Sequence, residues 1–247
     1  MPRDARELAG AWTKHQRHVF DSPSPDLAPF VDYYWAASWS YRTPYRQLIV
    51  PYPNVHVTFR DGAATVNGVR TGHHVKVLDG DGSVFGVAIR PGCFRAFLGT
   101  PVSTITNATL AAGEVFDGDV PAAPDVAVVE AFLRAQKPRR DAKADAAAEA
   151  VAAIASNAAL TRVDAVARQA GLGVRSLQRL FAEHVGVGPK WVIRRYRLHE
   201  VTRPLEQGAE IDWAGLAAAL GYADQAHLAR DFKEMFGESP TWYARRY

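Results

Sequence analysis

The stretch Arg175-Ser176-Leu177-Gln178-Arg179 carries hydrogen-bonding groups of the kind that read nucleic-acid bases. An arginine fork can bond guanine O6 and N7 together, and a glutamine amide can pair with adenine N6 and N7. Leu177, Leu180 and Phe181 share one face of a helix, which leaves Arg175, Ser176, Gln178 and Arg179 facing out. Other chemistry is sparse. The single cysteine, Cys93, can form no internal disulfide and excludes a cysteine-rich zinc site. His15/His18 and His73/His74 have no third ligand at a metal-motif spacing, so no metal or cofactor is expected. His-Glu-x-x-His, Gly-x-Ser-x-Gly and Walker patterns are absent, so no enzyme is expected. Arg90, before Pro91-Gly92, can clamp an anion or sit in a structural ion pair. The aromatics Tyr33, Tyr34, Trp35, Trp39, Tyr41 and Tyr45 can line a pocket or fill a core. Arg90, Trp35 and Trp39 are the candidate effector-binding residues.

Charge is distributed unevenly. The net charge of the chain is +3, but Leu160–Arg203 holds 9 Lys+Arg against 3 Asp+Glu. A basic stretch of this kind is the usual footprint of a phosphate-binding surface, although it can also be simply solvated. Apolar residues make up 48% and charged residues 22%, ordinary for a globular protein. No apolar run reaches the roughly 18 residues of a membrane helix, and no apolar stretch follows the charged N-terminus. A cytoplasmic chain without membrane contact is expected.

The elements that must position the outward side chains come as a repeat. Ala167-x3-Gly171, Leu177, Phe181, Gly186 and Pro189 recur as Ala217-x3-Gly221, Leu228, Phe232, Gly237 and Pro240, with one residue of difference between the first Gly and the Leu. Val163, Val166, Ala167 and Ala170, and likewise Trp213, Leu216, Ala217 and Leu220, mark one face of a short helix. A glycine able to take the left-handed conformation ends each. A second helix follows, N-capped by Asp224 in the second copy and by the weaker Gly173 in the first. Helix, glycine turn, helix is the helix-turn-helix pattern. Between the copies, Lys190–Leu205 has two apolar stripes, Trp191/Leu198/Val201/Leu205 and Val192/Ile193/Tyr196, as a strut bracing a unit on each side must have. Such a strut can hold two reading helices for successive major grooves. Arg194, Arg195 and Arg197 on it are candidates for phosphate contact or for salt bridges.

Residues 144–247 resemble the AraC/XylS family of transcription regulators. The likeness rests on AVARQAGLGVRSLQRLFAEHVGVGPK, WVIRRYRLHEV and LAAALGYADQAHLARDFKEMFGESPTWYARRY. It implies seven helices and DNA reading by both recognition helices, through Arg175, Gln178 and Arg179 in the first and through Gln225, Ala226, His227 and Arg230 in the second. Ala226 can meet a thymine methyl. Two residues depart from the family pattern: Pro204 in the linker helix, where it can kink or end it, and Gly173 where serine is common.

The first part of the chain reads as β. Gln47–Pro51, Val55–Phe59, Thr65–Val69, Val75–Leu78 and Val84–Ile89 are strand candidates, with turns at Asp61-Gly62, Asn67-Gly68, Asp79-Gly80 and Asp81-Gly82. Ile89-Arg90-Pro91-Gly92-Cys93-Phe94 through Leu98-Gly99-Thr100-Pro101 is similar to a stretch in the sensor domains of some family members. The expected fold is α+β: a mostly-β, barrel- or sandwich-like sensor domain over 1–135, a linker over 136–143, and an all-α domain of two helix-turn-helix units over 144–247. The expected function is sequence-specific regulation of transcription on double-stranded DNA. A small effector, a second copy of the chain and RNA polymerase are the further candidate partners. The alternatives are a non-specific architectural DNA protein and a barrel enzyme fused to a DNA-binding module. A repair methyl acceptor would need a zinc-bound cysteine cluster, which one cysteine excludes.

Overall fold

The computed structural model describes residues 5–7, 10–122, 125–206 and 211–246. The N-terminal half is one six-stranded antiparallel sheet of β1 (Gln16–Asp21), β2 (Val31–Ile49), β3 (His56–Arg60), β4 (Ala63–Asn67), β5 (His74–Ile89) and β6 (Thr109–Ala111), in the order β1-β2-β5-β3-β4-β6. The β-rich half is as expected, but the sheet does not close: among the described residues no ladder joins β1 to β6. Two further helices belong to this half, α1 (Arg95–Leu98) and α2 (Val126–Ala135).

Strand alternation gives the sheet two unlike faces. Tyr34, Val57, Phe59, Val66, Val87 and Ile89 are buried on one face and join the main core. On the other, register aligns Trp35, Gly86, Thr58 and Thr65 in one row across four strands, and Tyr33, Ala88, His56 and Asn67 in the next. Small residues on the central strand β5 thus lie between larger ones on its neighbours, and this face is concave.

The expected turns at Asp79-Gly80 and Asp81-Gly82 are not there; both pairs lie inside β5. The register between β2 and β5 shifts between Tyr41 and Tyr45, opposite Gly80 and Leu78, so the irregularity is a bulge in continuous strands. Gly82 and Gly86 have a different task. Each pairs with a tryptophan on β2, Trp39 and Trp35 respectively, and a Cβ on either would run into that indole. The glycines are where two rings lie flat across the neighbouring strand. Asp61-Gly62, by contrast, is the β3–β4 turn, with positive φ at both residues (52° and 77°).

The C-terminal half is helical: α3 (Ala142–Ser156), α4 (Val163–Gln169), α5 (Val174–His184), α6 (Pro189–Glu206), α7 (Trp213–Ala219), α8 (Gln225–Phe236) and α9 (Pro240–Tyr243). These are the seven helices the resemblance implied. The two short helices α4 and α7 end identically. Leu172 N–H donates to Ala167 O (2.8 Å) and Gly171 N–H to Arg168 O (3.1 Å); Tyr222 and Gly221 do the same to Ala217 and Ala218 (2.9 and 3.0 Å). Both are Schellman closures, with φ of 66° at Gly171 and 79° at Gly221. Pro204 does not end α6 early. It falls in the last turn, where its missing N–H forfeits only a bond to the Glu200 carbonyl.

The linker helix divides its apolar residues between two cores. Val192 and Ile193 join the core shared by the sheet, α3, α4 and α5; Leu198, Val201 and Leu205 join a separate core with α7 and α8. The first core therefore runs without a break from the sheet into the first helix-turn-helix unit. Gly92 (φ 95°) marks the closest approach, since a Cβ there would sit 2.9 Å from Ala148 N and 3.0 Å from Ala144 O on α3.

Candidate nucleic-acid interface and regulatory cavity

Helix α5 buries Leu177, Leu180 and Phe181 and leaves Arg175, Gln178 and Arg179 exposed, with Ser176 half-buried. Its start is bare: Gly173 offers no side-chain cap. Helix α8 buries Leu228, Phe232, Met235 and Phe236 and exposes Gln225, Ala226, His227 and Arg230. Asp224 caps it, accepting from His227 N–H at 2.6 Å. In the full chain, the N-terminal half covers none of these seven exposed residues. Its contacts with α5 fall further along and behind, at Glu183, which pairs with Arg95 (3.4 Å), and just past the helix at Gly186, whose carbonyl accepts from Thr106 Oγ1 (2.5 Å).

The linker-helix arginines are not surface cations. Arg195 is 2% exposed, so it cannot reach a phosphate. Its guanidinium lies 3.9 Å from the Tyr52 ring centroid and 5.4 Å from that of Phe236, and its Nε donates to Pro51 O at 2.5 Å. Arg194, the other candidate for phosphate contact, is half-buried and pairs with Asp231 (2.9 Å) and Glu234 (2.7 Å) of α8. Arg197 is buried and donates to the carbonyls of Ile154 and Asn157 at the end of α3. The salt-bridge alternative fits Arg194, while Arg195 and Arg197 bond backbone carbonyls.

The concave face of the sheet holds a cavity of about 270 Å³. Tyr33 and Trp35 form one wall and His56, Thr58 and Asn67 another; Tyr52, Arg70, His74 and Lys76 stand on its rim. Trp35 Nε1–H donates to His56 Nδ1 at 3.2 Å, which requires that nitrogen to be unprotonated. Burial pushes the His56 imidazole down to about 4, in keeping with a neutral ring. Of the three candidate effector residues, only Trp35 lines this cavity. Trp39 is buried in a satellite core with Tyr41, Tyr45 and Leu78, beneath the Arg60 guanidinium. Arg90 is exposed in a different recess, where Asp32, Asp145 and Glu149 outnumber Arg90 and Arg140. That local charge balance does not favour an anion clamp. Tyr34 points the other way, into the main core, as its register position requires. Cys93 is buried, and burial pushes its thiol up to about 11. Among the described residues no three His, Cys, Asp or Glu side chains converge as a metal-binding set, and no helix is long and apolar enough to cross a membrane.

Residues 166–246 match a family model described as a helix-turn-helix domain. The HTH-type transcriptional regulator GlxA of Rhizobium meliloti (strain 1021) is 38% identical over 82 residues, 33% of this chain and 25% of that protein. The HTH-type transcriptional activator RhaS of Pectobacterium atrosepticum is 32% identical over 75 residues, 30% of this chain and 26% of that one. The C-terminal part of the chain is an AraC-type helix-turn-helix domain. The chain spans about a quarter of the length of these curated relatives. Residues 21–111 match a model described as a domain of unknown function (DUF6597). Among solved structures, ToxT from Vibrio cholerae O395 is similar at a TM-score of 0.43 and 11% identity, over 94% of this chain and 98% of that one.

Reasoning from sequence missed the rim of the cavity. Tyr52 and Arg70 lie in loops and His74 and Lys76 on one face of β5, so only the last two are joined by a strand period. The nearest signal was the paired spacing Trp35-x3-Trp39 and Gly82-x3-Gly86, which encodes the β2–β5 register and so the position of the Trp35 wall.

Proposed function

We propose that this protein binds a specific sequence of double-stranded DNA through α5 and α8 of its AraC-type domain and regulates transcription from that site. Residues 1–135 act as the sensor, 136–143 as the linker and 144–247 as the DNA-binding domain. A small effector or association with a second copy supplies the input, and RNA polymerase is the partner on the promoter. No catalytic step belongs to this reading. The observation that supports it best is the outward face of the two second helices, α5 and α8: Arg175, Gln178, Arg179, Gln225, Ala226, His227 and Arg230 all stay exposed in the full chain. Two of these are uncharged glutamines, suited to base edges rather than to phosphates.

The test is selection of bound sequences from a random pool, followed by footprinting and titration on the selected site. Arg179→Ala and Arg230→Ala each weaken binding to that site by about 1–3 kcal/mol, while binding to unrelated DNA falls far less. Equal loss on every sequence, with a steep salt dependence and no selected site, would instead describe a non-specific architectural protein.

A further inference from the structure

The geometry points to the concave cavity of the sheet as the site for a small planar organic anion, an aromatic carboxylate by class, whose binding is felt at the linker helix and at the end of α8. This deepens the regulatory reading above and rests on it only for the use the protein makes of the signal.

The ligand class follows from the walls. Tyr33, Trp35 and Tyr52 are its aromatic lining, and the Trp35 indole lies across Gly86 of the central strand. The charged side chains on the lining are Arg70 and Lys76; no carboxylate lines the cavity among the described residues. Arg70 bonds a neutral hydroxyl, Thr109 Oγ1, at 3.2 Å. Burial, then the charges of Arg60 and Arg70, hold the Lys76 amine below its ordinary range. His74 has a buried Nδ1 with no hydrogen-bond partner, and burial followed by Arg70 and Lys76 pushes its ring down to about 4. Two cations with no carboxylate beside them in the lining suit an anion, and a carboxylate can accept from both. A cavity of about 270 Å³ has room for a body of one or two rings.

The coupling follows from the rim. Two segments that edge the cavity also hold α6 and α8 of the DNA-binding half. On the first, Pro51 O accepts from Arg195, and Tyr52 OH lies 3.2 Å from His199 Nε2 with its ring edge-on to Tyr196, all on α6. On the second, between Arg70 and His74, Thr71 O accepts from Trp191 Nε1 at 2.8 Å, and His73 Nδ1 meets Glu234 O of α8 at 3.1 Å. A ligand drawn against Tyr52, Arg70 and His74 therefore loads the same short segments that hold the strut and the second reading helix. Pro51 and Tyr52 line the cavity themselves, and Thr71 and His73 lie between the lining residues Arg70 and His74, so a differential affinity for one arrangement of these segments biases the helices they hold.

Calorimetric titration of the full chain with benzoate, benzamide and benzylamine tests the ligand class, and needs no DNA. The expected result is saturable binding of benzoate at least tenfold tighter than that of benzamide, and none of benzylamine. In an Arg70→Gln/Lys76→Gln double variant, the preference for benzoate over benzamide disappears. Benzamide or benzylamine binding as well as benzoate, or no binding by any of the three, overturns the assignment. Hydrogen exchange with and without saturating benzoate tests the coupling: protection changes at residues 191–199 and 234–237. In Trp191→Phe, which removes the indole N–H from Thr71 but touches no ligand, the change at 234–237 falls at least twofold while benzoate affinity stays as it was. Exchange that changes only within the sheet overturns the coupling. Failure of sequence selection on DNA, with these binding results intact, would count against the regulatory reading alone.

Discussion

Three arginines on one turn and a half of α6 show how an identical side chain is put to different uses by what surrounds it. Arg194 bridges to the carboxylates of α8, Arg197 satisfies carbonyls at the end of α3 that have no helical partner, and Arg195 fills the gap between Tyr52 and Phe236. Arg195→Met keeps much of the packing but leaves Pro51 O without its donor. It should lower unfolding free energy by about 1–3 kcal/mol, measured by urea denaturation, without altering the salt slope of DNA binding. Arg179→Ala should leave the urea midpoint in place and weaken binding to the selected site. His56 gives a second residue-scale prediction. Its folded value, about 4, lies below the ordinary 6.5, so the unfolded chain takes up the extra proton first. Its contribution is complete above about pH 6.5 and is lost as pH falls toward 4, by at most about 3 kcal/mol. A urea midpoint that declines over this window in wild type and declines less in His56→Gln is the expected result.

At the scale of elements, capping separates the two reading helices. Asp224→Ala should cost about 1 kcal/mol by removing the bond to His227 N–H. Gly173 has extended backbone angles (φ −74°, ψ 153°) and open space where a Cβ would stand. Gly173→Ser should therefore stabilise α5 by a few tenths of a kcal/mol, and thermal melts of the two variants check both signs. The helices of the repeat were legible because a glycine follows each and a 3.6-residue apolar period runs along it, with aspartate caps at the starts of α7 and α8. The two stripes of Lys190–Leu205 even separated correctly into the two cores. The sheet was less legible. Asp79-Gly80-Asp81-Gly82 has the composition of a turn, but its glycines serve a bulge and an indole on the neighbouring strand, a pairing visible only across 40 residues or more. Helix α2 passed unnoticed although Asp125 caps it and Val129, Phe132 and Leu133 share one face. The arginines of α6 were left between phosphate contact and salt bridges, because a guanidinium shows the same letter whether it faces solvent, a carboxylate or a tyrosine ring.

At the scale of the whole molecule, the two cores are unequal. The sheet, α3, α4, α5 and the first half of α6 share one; α7, α8 and the second half of α6 make a smaller one. In moderate urea, hydrogen exchange should release residues 213–236 before 142–184, since the smaller core opens at a lower free energy. Simultaneous release of both would show that Trp191, which packs on both cores, ties them into one unit.

The tight seating of Gly92 against α3 bears on how such proteins can be recombined. Receptor halves and operator-reading halves are often treated as beads to be restrung, with any input wired to any output. Here the seam passes through close-packed oil rather than through a tether, so a chimera cut at residues 136–143 would strip both halves of their shared cover. Exchanging the sheet half would require transplanting α3 to α5 along with it, and with them the first of the two helix-turn-helix units.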